Sequence, residues 1–554
     1  MAPPLQPGPA RLPERIPLEA RPQQPEPVFE EPSFGEPIPQ PQAEPGDQEQ
    51  PPAELPNITW RPQIQGTTPY NATQLQQILR NCGRPSVPAT LRACAAALTA
   101  RLTSDGYINS RVYTLLEPPP AHLEVVEGRI AEVRVSSTDQ GLQQEVSARL
   151  QPLVGNVLHL ASLEQALVSV RSLPGVGQIK GSLGRLGSDA TQAVLNLTID
   201  AIAAPWHGEI SIRNDGNDGT GPWRGVATVL KNNLLKRNDI FLAYLELNAD
   251  SDPELGSTIT STSYTFPLSD SWFLTGSFGY SKRQLIEFAD EAHDLSFRQF
   301  QVLGQIEKTL HRSPWQEWSA FAGISGNRND SYLGNRSIPL IIGGGPEGWL
   351  RSGYLRAGVN FSGNHQDLAW GGNIYGLQGI AGFSTETQLK DLALYGVHPG
   401  DARALGGLAS LAWRITPKLG LNLRAGGQIA FSELTNSMGF SLGSDVGLRG
   451  LPGTLISGDS GWLSTGELVV NVWQKENQSV QIVPFLGIGG IRTDVENFVF
   501  TDTVGSGGLL ARYINEGWMM ELGWVDSFQT DDNLGLWQDW LIGNGVYAKV
   551  RYRF

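Results

Sequence analysis

The segment from about residue 432 to 461 holds the side chains most able to do chemistry. It contains Val446-Gly447-Leu448-Arg449-Gly450-Leu451, in which one guanidinium stands among small and apolar neighbours. A guanidinium offers a rigid fork of donors that suits a carboxylate, so Arg449 could pin this segment to an acidic partner. The plain alternative is a solvated loop arginine. The same segment carries Gly439-Phe440-Ser441-Leu442-Gly443, a G-x-S-x-G string, and Gly458-Asp459-Ser460-Gly461. A nucleophilic serine of that kind needs a strand-to-helix elbow and a histidine base. Neither string has the elbow, and the 7 His show no triad order, so serine catalysis is not expected. Gly343-Gly344-Gly345 lacks the Lys and the following helix of a phosphate loop. Cys82 and Cys94, the 2 Cys of the chain, suit either a disulfide in an oxidising compartment or two buried thiols. With no His beside them, they do not make a metal site.

Composition narrows the class. A chain of 554 residues exceeds one ordinary domain. It has Gly 64 and Trp 15, and only 17% charged residues. No stretch of about 18 consecutive apolar residues is present, which excludes a helical membrane span. A mean hydropathy of -0.20 is still compatible with a membrane barrel, whose strands need only alternate apolar positions over about ten residues. The net charge of -14 argues against a nucleic-acid partner. Met1 is followed by Ala-Pro-Pro rather than by a basic and then apolar stretch, so a mature chain with an added start Met is expected.

Three regions follow along the chain. Residues 1–56 are rich in Pro, Gln and Glu and read as an extended linker. A short helix is conceivable from Arg11 to Arg21, but Pro13 and Pro17 oppose a long one. Beyond it, Asn71 can cap a helix carrying Leu75, Ile78 and Leu79. Leu91, Ala95, Leu98 and Leu102 repeat at helical spacing until Gly106-Tyr107. Ser110 to Leu116 and Ile130 to Val135 read as strands. Helical patterns return at Val146, Leu150 and Leu153 and at Leu163, Leu167 and Val170, with strands near Ile179 to Leu183 and Val194 to Ile199. These make two β-α-α-β-β units of roughly 75 residues, each able to form a small sheet with helices on one face.

From about residue 205 the period changes to two. Phe241, Ala243, Leu245 and Leu247 alternate with Leu242, Tyr244, Glu246 and Asn248. Leu421, Leu423, Ala425, Gly427 and Ile429 alternate with Asn422, Arg424, Gly426 and Gln428. At the end, Val546, Ala548, Val550, Tyr552 and Phe554 share one face, and Lys549, Arg551 and Arg553 share the other. About sixteen such strands are expected, an even number closed into a barrel because lipid cannot satisfy an open sheet edge.

Gly106-Tyr107-Ile108-Asn109-Ser110-Arg111-Val112, Glu127-Gly128-Arg129-Ile130, Asn214-Asp215-Gly216, Leu448-Arg449-Gly450-Leu451, Ser464-Thr465-Gly466-Glu467-Leu468 and Val483-Pro484-Phe485-Leu486-Gly487-Ile488-Gly489 follow one another along the chain. This ordered set resembles the two-partner secretion transporters of the outer membrane (TpsB type), relatives of filamentous-haemagglutinin and haemolysin transporters. Leu448-Arg449-Gly450-Leu451 resembles the Val-Arg-Gly-aromatic tetrad at the tip of that family's long sixth loop. Gly458-Asp459-Ser460-Gly461, Ser464-Thr465-Gly466-Glu467-Leu468 and Val483-Pro484-Phe485-Leu486-Gly487-Ile488-Gly489 are also similar to it. Upstream, Gly106-Tyr107-Ile108-Asn109-Ser110-Arg111-Val112 resembles a signature of the first periplasmic POTRA domain, and Glu127-Gly128-Arg129-Ile130 the junction into the second. Asn214-Asp215-Gly216 with Gly219-Thr220-Gly221 resembles the first barrel hairpin. The resemblance implies an α+β plus membrane all-β chain. It has POTRA 1 at 57–129, POTRA 2 at 130–204, and a 16-stranded antiparallel barrel at 205–554 with an inward-folded sixth loop.

The implied function is translocation of an unfolded, large secreted partner protein (TpsA-like) to the cell surface. The POTRA domains recognise it, and neither ATP nor a cofactor takes part. The chain would be a monomer embedded in outer-membrane lipid, with Phe554 as the terminal aromatic read by the barrel-assembly machinery. Competing readings are an outer-membrane assembly factor and a passive porin. A soluble β-rich enzyme is a more distant one. An edge strand can bind an extended peptide by β-augmentation. Ser110, Arg111, Val112, Tyr113 and Thr114 are therefore candidate partner-binding residues, unless they only complete their own sheet. Where the family usually has an Asp in its thirteenth strand, this chain has Gly487. Glu467 is the proposed substitute: alternation with Leu468, Val470 and Val472 turns it to the lumen, and a turn near Lys475 to Gln478 sets it almost level with Gly487. Asp494 is a weaker candidate near the outer rim. Leu451 replaces the aromatic of the tetrad, which weakens the expectation of loop-tip packing. Pro13 and Pro17 interrupt the plug helix that some members carry.

Overall fold

The computed structural model describes residues 63–554 apart from 81–87, 118, 172, 174–175, 188, 202–205, 217, 236–238, 251–253, 270, 287–294, 314, 366, 476, 496–497 and 530–544. The Pro-rich start and Cys82 lie outside the described residues. The chain divides into two compact units between residues 203 and 204.

The first unit repeats one topology twice. Strand β1 (Ile64–Gln65), helices α1 (Ala72–Ile78) and α2 (Pro88–Ser104), and strands β2 (Arg111–Leu115) and β3 (His122–Val126) give a sheet ordered β1-β3-β2. Strand β4 (Arg129–Ser137), helices α3 (Gln140–Leu150) and α4 (Leu160–Arg171), and strands β5 (Val176–Leu186) and β6 (Asp189–Ala201) give β4-β6-β5. In both, the first strand runs parallel to the last and the middle strand pairs with the last antiparallel. Both units read β-α-α-β-β, but β1 and β3 left no clear sequence signal. The first is two residues long, and His122–Val126 follows directly on a proline run.

Local chemistry explains the helices. Asn71 accepts from the Gln74 amide at 2.9 Å while the Gln74 side chain accepts from the Asn71 amide at 2.9 Å, a reciprocal cap that satisfies two otherwise orphaned donors. Helix α2 buries Leu91, Cys94, Leu98 and Leu102 against Leu123 and Val125, each side chain stabilising by roughly 1.5–3 kcal/mol. Cys94 is fully buried and disulfide-bonded. Tyr70 donates to Asp105 at 2.8 Å, and burial together with that carboxylate pushes its pKa up to about 12. The two sheets are joined by backbone contacts: Leu160 N–H to Gly106 O at 2.9 Å and Leu158 N–H to Gly128 O at 2.8 Å. Gly106 has φ +97°, a left-handed turn natural to glycine.

Residues 206–554 form a closed antiparallel barrel, with sixteen wall strands among the described residues. They are numbered here in barrel order from strand 1 (Trp206–Arg213) to strand 16 (Val546–Arg553). Strand 16 closes on strand 1 with Arg551 opposite Ser211, and the backbones of Phe554 and Gly208 exchange two 3.0 Å hydrogen bonds. Alternation sorts the faces. Ile210, Ile212 and Trp223 are exposed on the outer wall, while Ser211 and Arg224 are buried inside. At the end carrying the short turns, Trp206, Trp272, Trp318, Trp413, Trp518 and Tyr552 all face outward, an aromatic girdle suited to a membrane interface.

Candidate functional site

Strand 11 (Leu419–Ala430) and strand 12 (Ser460–Lys475) are joined by residues 431–459. This connection is folded rather than loose. Phe440–Leu442 pairs with Ile456–Gly458 as a short hairpin, and the chain between turns back through Gly447 (φ +113°) and Gly450 (φ +79°). Leu448 and Leu451 have no exposed surface. They pack with Phe440, Leu442 and Leu455 of the connection and with Leu463, Ile491 and Val504 of the wall. The missing tetrad aromatic therefore does not leave the tip unpacked: Leu451 fills the position with an aliphatic side chain.

Arg449 projects from this cluster onto two carboxylates. Its Nε donates to Glu467 on strand 12, and its Nη1 lies 3.1 Å from Glu521 Oε2 on strand 15 (Trp518–Gln529). Arg512, on strand 14 (Phe498–Asn515), donates to Glu521 at 2.7 Å and comes within 3.9 Å of Glu467. Glu467, Arg449, Glu521 and Arg512 thus form a closed ring of alternating charge. Glu521 is wholly buried between Arg512 and Lys549, its cross-strand neighbours. Four charges out of water are tolerable only because each has partners. Removing one member of such a set typically costs about 3–5 kcal/mol.

The register departs from the sequence expectation. Glu467 is opposite Phe485, and Gly487 is opposite Thr465. A bulge between Asn471 and Trp473 inserts a residue and shifts the pairing. Gly487 has its own steric role, since a Cβ there would lie 2.8 Å from Leu448 Cδ2. The residue that removes the wall carboxylate also makes room for the loop leucine. Asp494 does not approach Arg449; it pairs with Arg492 at 3.0 Å on the outward face.

A second contact of opposite polarity holds the same connection. Asp445 accepts from Arg224 Nη2 at 2.5 Å on strand 2 (Trp223–Asn232) and lies 3.7 Å from Arg213 on strand 1. Arg224 also donates to Ser444 Oγ at 3.2 Å and to Glu246 at 2.6 Å. The sequence reading missed Glu521, Arg512, Asp445 and Arg224. Alternation could have found Glu521, which follows outward Met520 and precedes outward Leu522. It could not have found Asp445, whose partner lies 221 positions away.

The serine strings have structural uses. Ser460 Oγ accepts from the Ala430 amide at 3.0 Å, and Asp459 from the Leu434 amide at 3.1 Å. Among the described residues, no His, Cys, Asp or Glu cluster could hold a metal. Of the candidate partner-binding residues, Arg111 to Thr114 lie on β2, an edge of its sheet. Ser110 precedes them and accepts from the Gly128 amide at 3.0 Å. A groove of about 600 Å³ runs between β2 and α2, lined by Ala96, Thr99, Ala100, Val112, Tyr113 and Thr114. Thr99 Oγ1 accepts from the Val112 amide at 3.1 Å, occupying one donor of the open edge.

The profile of the family described as haemolysin secretion/activation protein ShlB/FhaC/HecB matches residues 192–506, more than half of the chain. The chain belongs to that family. It is a two-partner secretion transporter of the Omp85 superfamily, a TpsB-type barrel of the outer membrane. Two solved structures share its fold. CdiB from Escherichia coli has 18% identity, 89% of each chain covered and a TM-score of 0.67. CdiB from Acinetobacter baumannii has 16% identity, 91% of each covered and a TM-score of 0.62. BamA from Haemophilus ducreyi lacking POTRA domains 1-3 is a more distant match, at 12% identity and TM-score 0.51, covering 90% of this chain and all of that one. None of the curated proteins compared matches the chain.

Proposed function

We propose that this transporter moves a large, unfolded TpsA-like partner from the periplasm to the cell surface, with the 431–459 connection as its gate. The observation that carries this is the charge ring around Arg449 inside a barrel of this family. The connection occupies the lumen side of the wall, so a passing chain requires it to move. An ion-pair ring of this kind breaks without covalent change and re-forms in one geometry.

The two repeated α/β units act as POTRA 1 and POTRA 2 in the periplasm, and the β2 edge with its groove against α2 is the partner-binding element. An incoming strand would replace the Thr99 bond to Val112 with a main-chain bond and set alternate side chains in the groove. Main-chain recognition tolerates many sequences, as an unfolded substrate demands. No nucleotide is available in that compartment, so movement draws on weak serial contacts and on folding of the partner outside. No catalytic step is assigned.

Secretion of the cognate partner by cells carrying the wild-type chain, Arg449→Ala, or a deletion of residues 63–201 tests the reading. The deletion abolishes secretion, and Arg449→Ala lowers it at unchanged barrel level in the membrane. Normal secretion by the deletion would overturn recognition by the POTRA units, and normal secretion by Arg449→Ala would overturn the gate.

A further inference from the structure

We propose that the outer wall of strands 5–8 carries a binding site for a phosphorylated, multiply acylated glycolipid of the outer leaflet. The inference rests on the outer-membrane reading, with the short-turn end toward the periplasm, and not on secretion. These strands are Trp272–Gln284, Leu295–Arg312, Gln316–Leu333 and Trp349–His365. At the end away from the girdle, each carries one outward cation: Lys282, Arg298, Arg328 and Arg351. Their direction follows from the exposed residues of the same parity, Phe278, Val302, Ile324 and Leu355.

The depth of these cations is set by the strands. Lys282 and Arg298 are direct neighbours, as are Trp272 and Lys308 at the girdle end. Arg328 and Arg351 are direct neighbours, as are Trp318 and Phe361. On every strand the two levels are ten positions apart (272 and 282, 308 and 298, 318 and 328, 361 and 351). Ten residues rise ~33 Å along a strand, or ~25 Å across the membrane at a usual tilt. With the girdle at one interface, the four cations stand at the other.

Their arrangement asks for an anion. Like charges directly opposite on neighbouring strands repel, and this patch has two such pairs side by side. Asp330 pairs with Arg328 at 2.9 Å and is opposite Arg298, which leaves three of the four positive charges uncompensated by an ion pair among the described residues. The Nε of Arg298 is buried and lacks a hydrogen-bond partner among them. Aromatic faces hold the forks in place: Arg298 lies 4.6 Å from the Tyr332 ring centre, and Arg328 and Arg351 both lie 5.0 Å from that of Trp349. The other wall differs, since outward Arg492 is neutralised by Asp494.

Directly toward the membrane centre from this patch, the wall is hollowed. An open apolar trough of about 710 Å³ forms where Gly304, Ala322, Ala357 and Gly376 fail to fill the surface beside Ile324 and Leu355. On strand 7, Ile324 is four residues below Arg328, a rise of ~13 Å. Phosphates on the cations therefore place acyl chains in the trough. A free phosphate would use the first element and leave the second without purpose.

The test uses the intact transporter purified in detergent, with bisphosphorylated lipid A as probe and native mass spectrometry as readout. Wild type retains the lipid. Replacing Lys282, Arg298, Arg328 and Arg351 together by Gln weakens binding at least about ten-fold, while Arg492→Gln leaves it unchanged. Ala357→Trp fills the trough and weakens lipid A binding without touching a charge, so it decides the matter even where the quadruple variant fails the gel-shift assay for a folded barrel. Equal retention by wild type and Ala357→Trp overturns the proposal. So does equal binding of lipid A stripped of its phosphates, or complete displacement by inorganic phosphate at equal concentration. Secretion assays on the same variants are read separately, and their outcome does not bear on this site.

Discussion

The connection between strands 11 and 12 is held at two points that mirror each other in sign. At its tip, the cation Arg449 sits on wall carboxylates Glu467 and Glu521. Four residues earlier, the anion Asp445 sits on wall guanidiniums Arg224 and Arg213. The first contact uses strands 12 and 15, and the second uses strands 1 and 2. A segment fastened by two points of the same sign could slip and exchange them. Opposite signs forbid this, because a slipped segment would set Arg449 on guanidiniums or Asp445 on carboxylates, and such juxtapositions are repulsive. The apolar cluster of Leu448 and Leu451 supplies burial, while the ions supply position.

The two points are not equal in strength, and this gives an order of effects. Glu521→Ala has the largest: it strips a fully buried carboxylate from both Arg449 and Arg512, at about 3–5 kcal/mol. In single-channel recordings this variant is expected to populate a larger open conductance for long dwell times. Asp445→Asn comes second, at about 1–3 kcal/mol, since Arg224 keeps Glu246 at 2.6 Å and an amide oxygen still accepts. Its openings should be shorter than those of Glu521→Ala, and the reverse order would mean that the Asp445 contact is the principal fastening. Gly487→Ala is the smallest, about 1 kcal/mol, because the methyl end of Leu448 can turn aside from the new Cβ. A Gly487→Ala variant as leaky as Glu521→Ala would show that leucine packing, not charge, sets the gate.

The sequence revealed these features unevenly, and the reasons are physical. Strand alternation on the terminal residues Val546 to Phe554 is local, and the wall shows it directly: Tyr547 and Arg551 are buried, Val546 and Val550 exposed. The helical spacing of Leu91, Leu98 and Leu102 was equally local. Strand β3 was hidden because His122–Val126 is only 5 residues long and includes His122 and Glu124, although it is the central strand of its sheet. Glu467 was visible as an inward acid, but its level was set by the bulge beyond Asn471, which no periodic pattern announces. The partnership of Asp445 with Arg224 depends on the barrel closing, a consequence of every strand together. Cys82, whose pairing was an expectation, lies outside the described residues.

The most direct test is a double-mutant cycle on Arg449 and Glu521, read from the closed fraction of single purified barrels in planar bilayers. The account predicts that Arg449→Ala and Glu521→Ala each raise the open fraction and that the double variant opens little more than either alone, with a coupling above about 1 kcal/mol. Closed fractions identical to wild type in both single variants, or strictly additive effects in the double, would contradict a gate held by this ion pair.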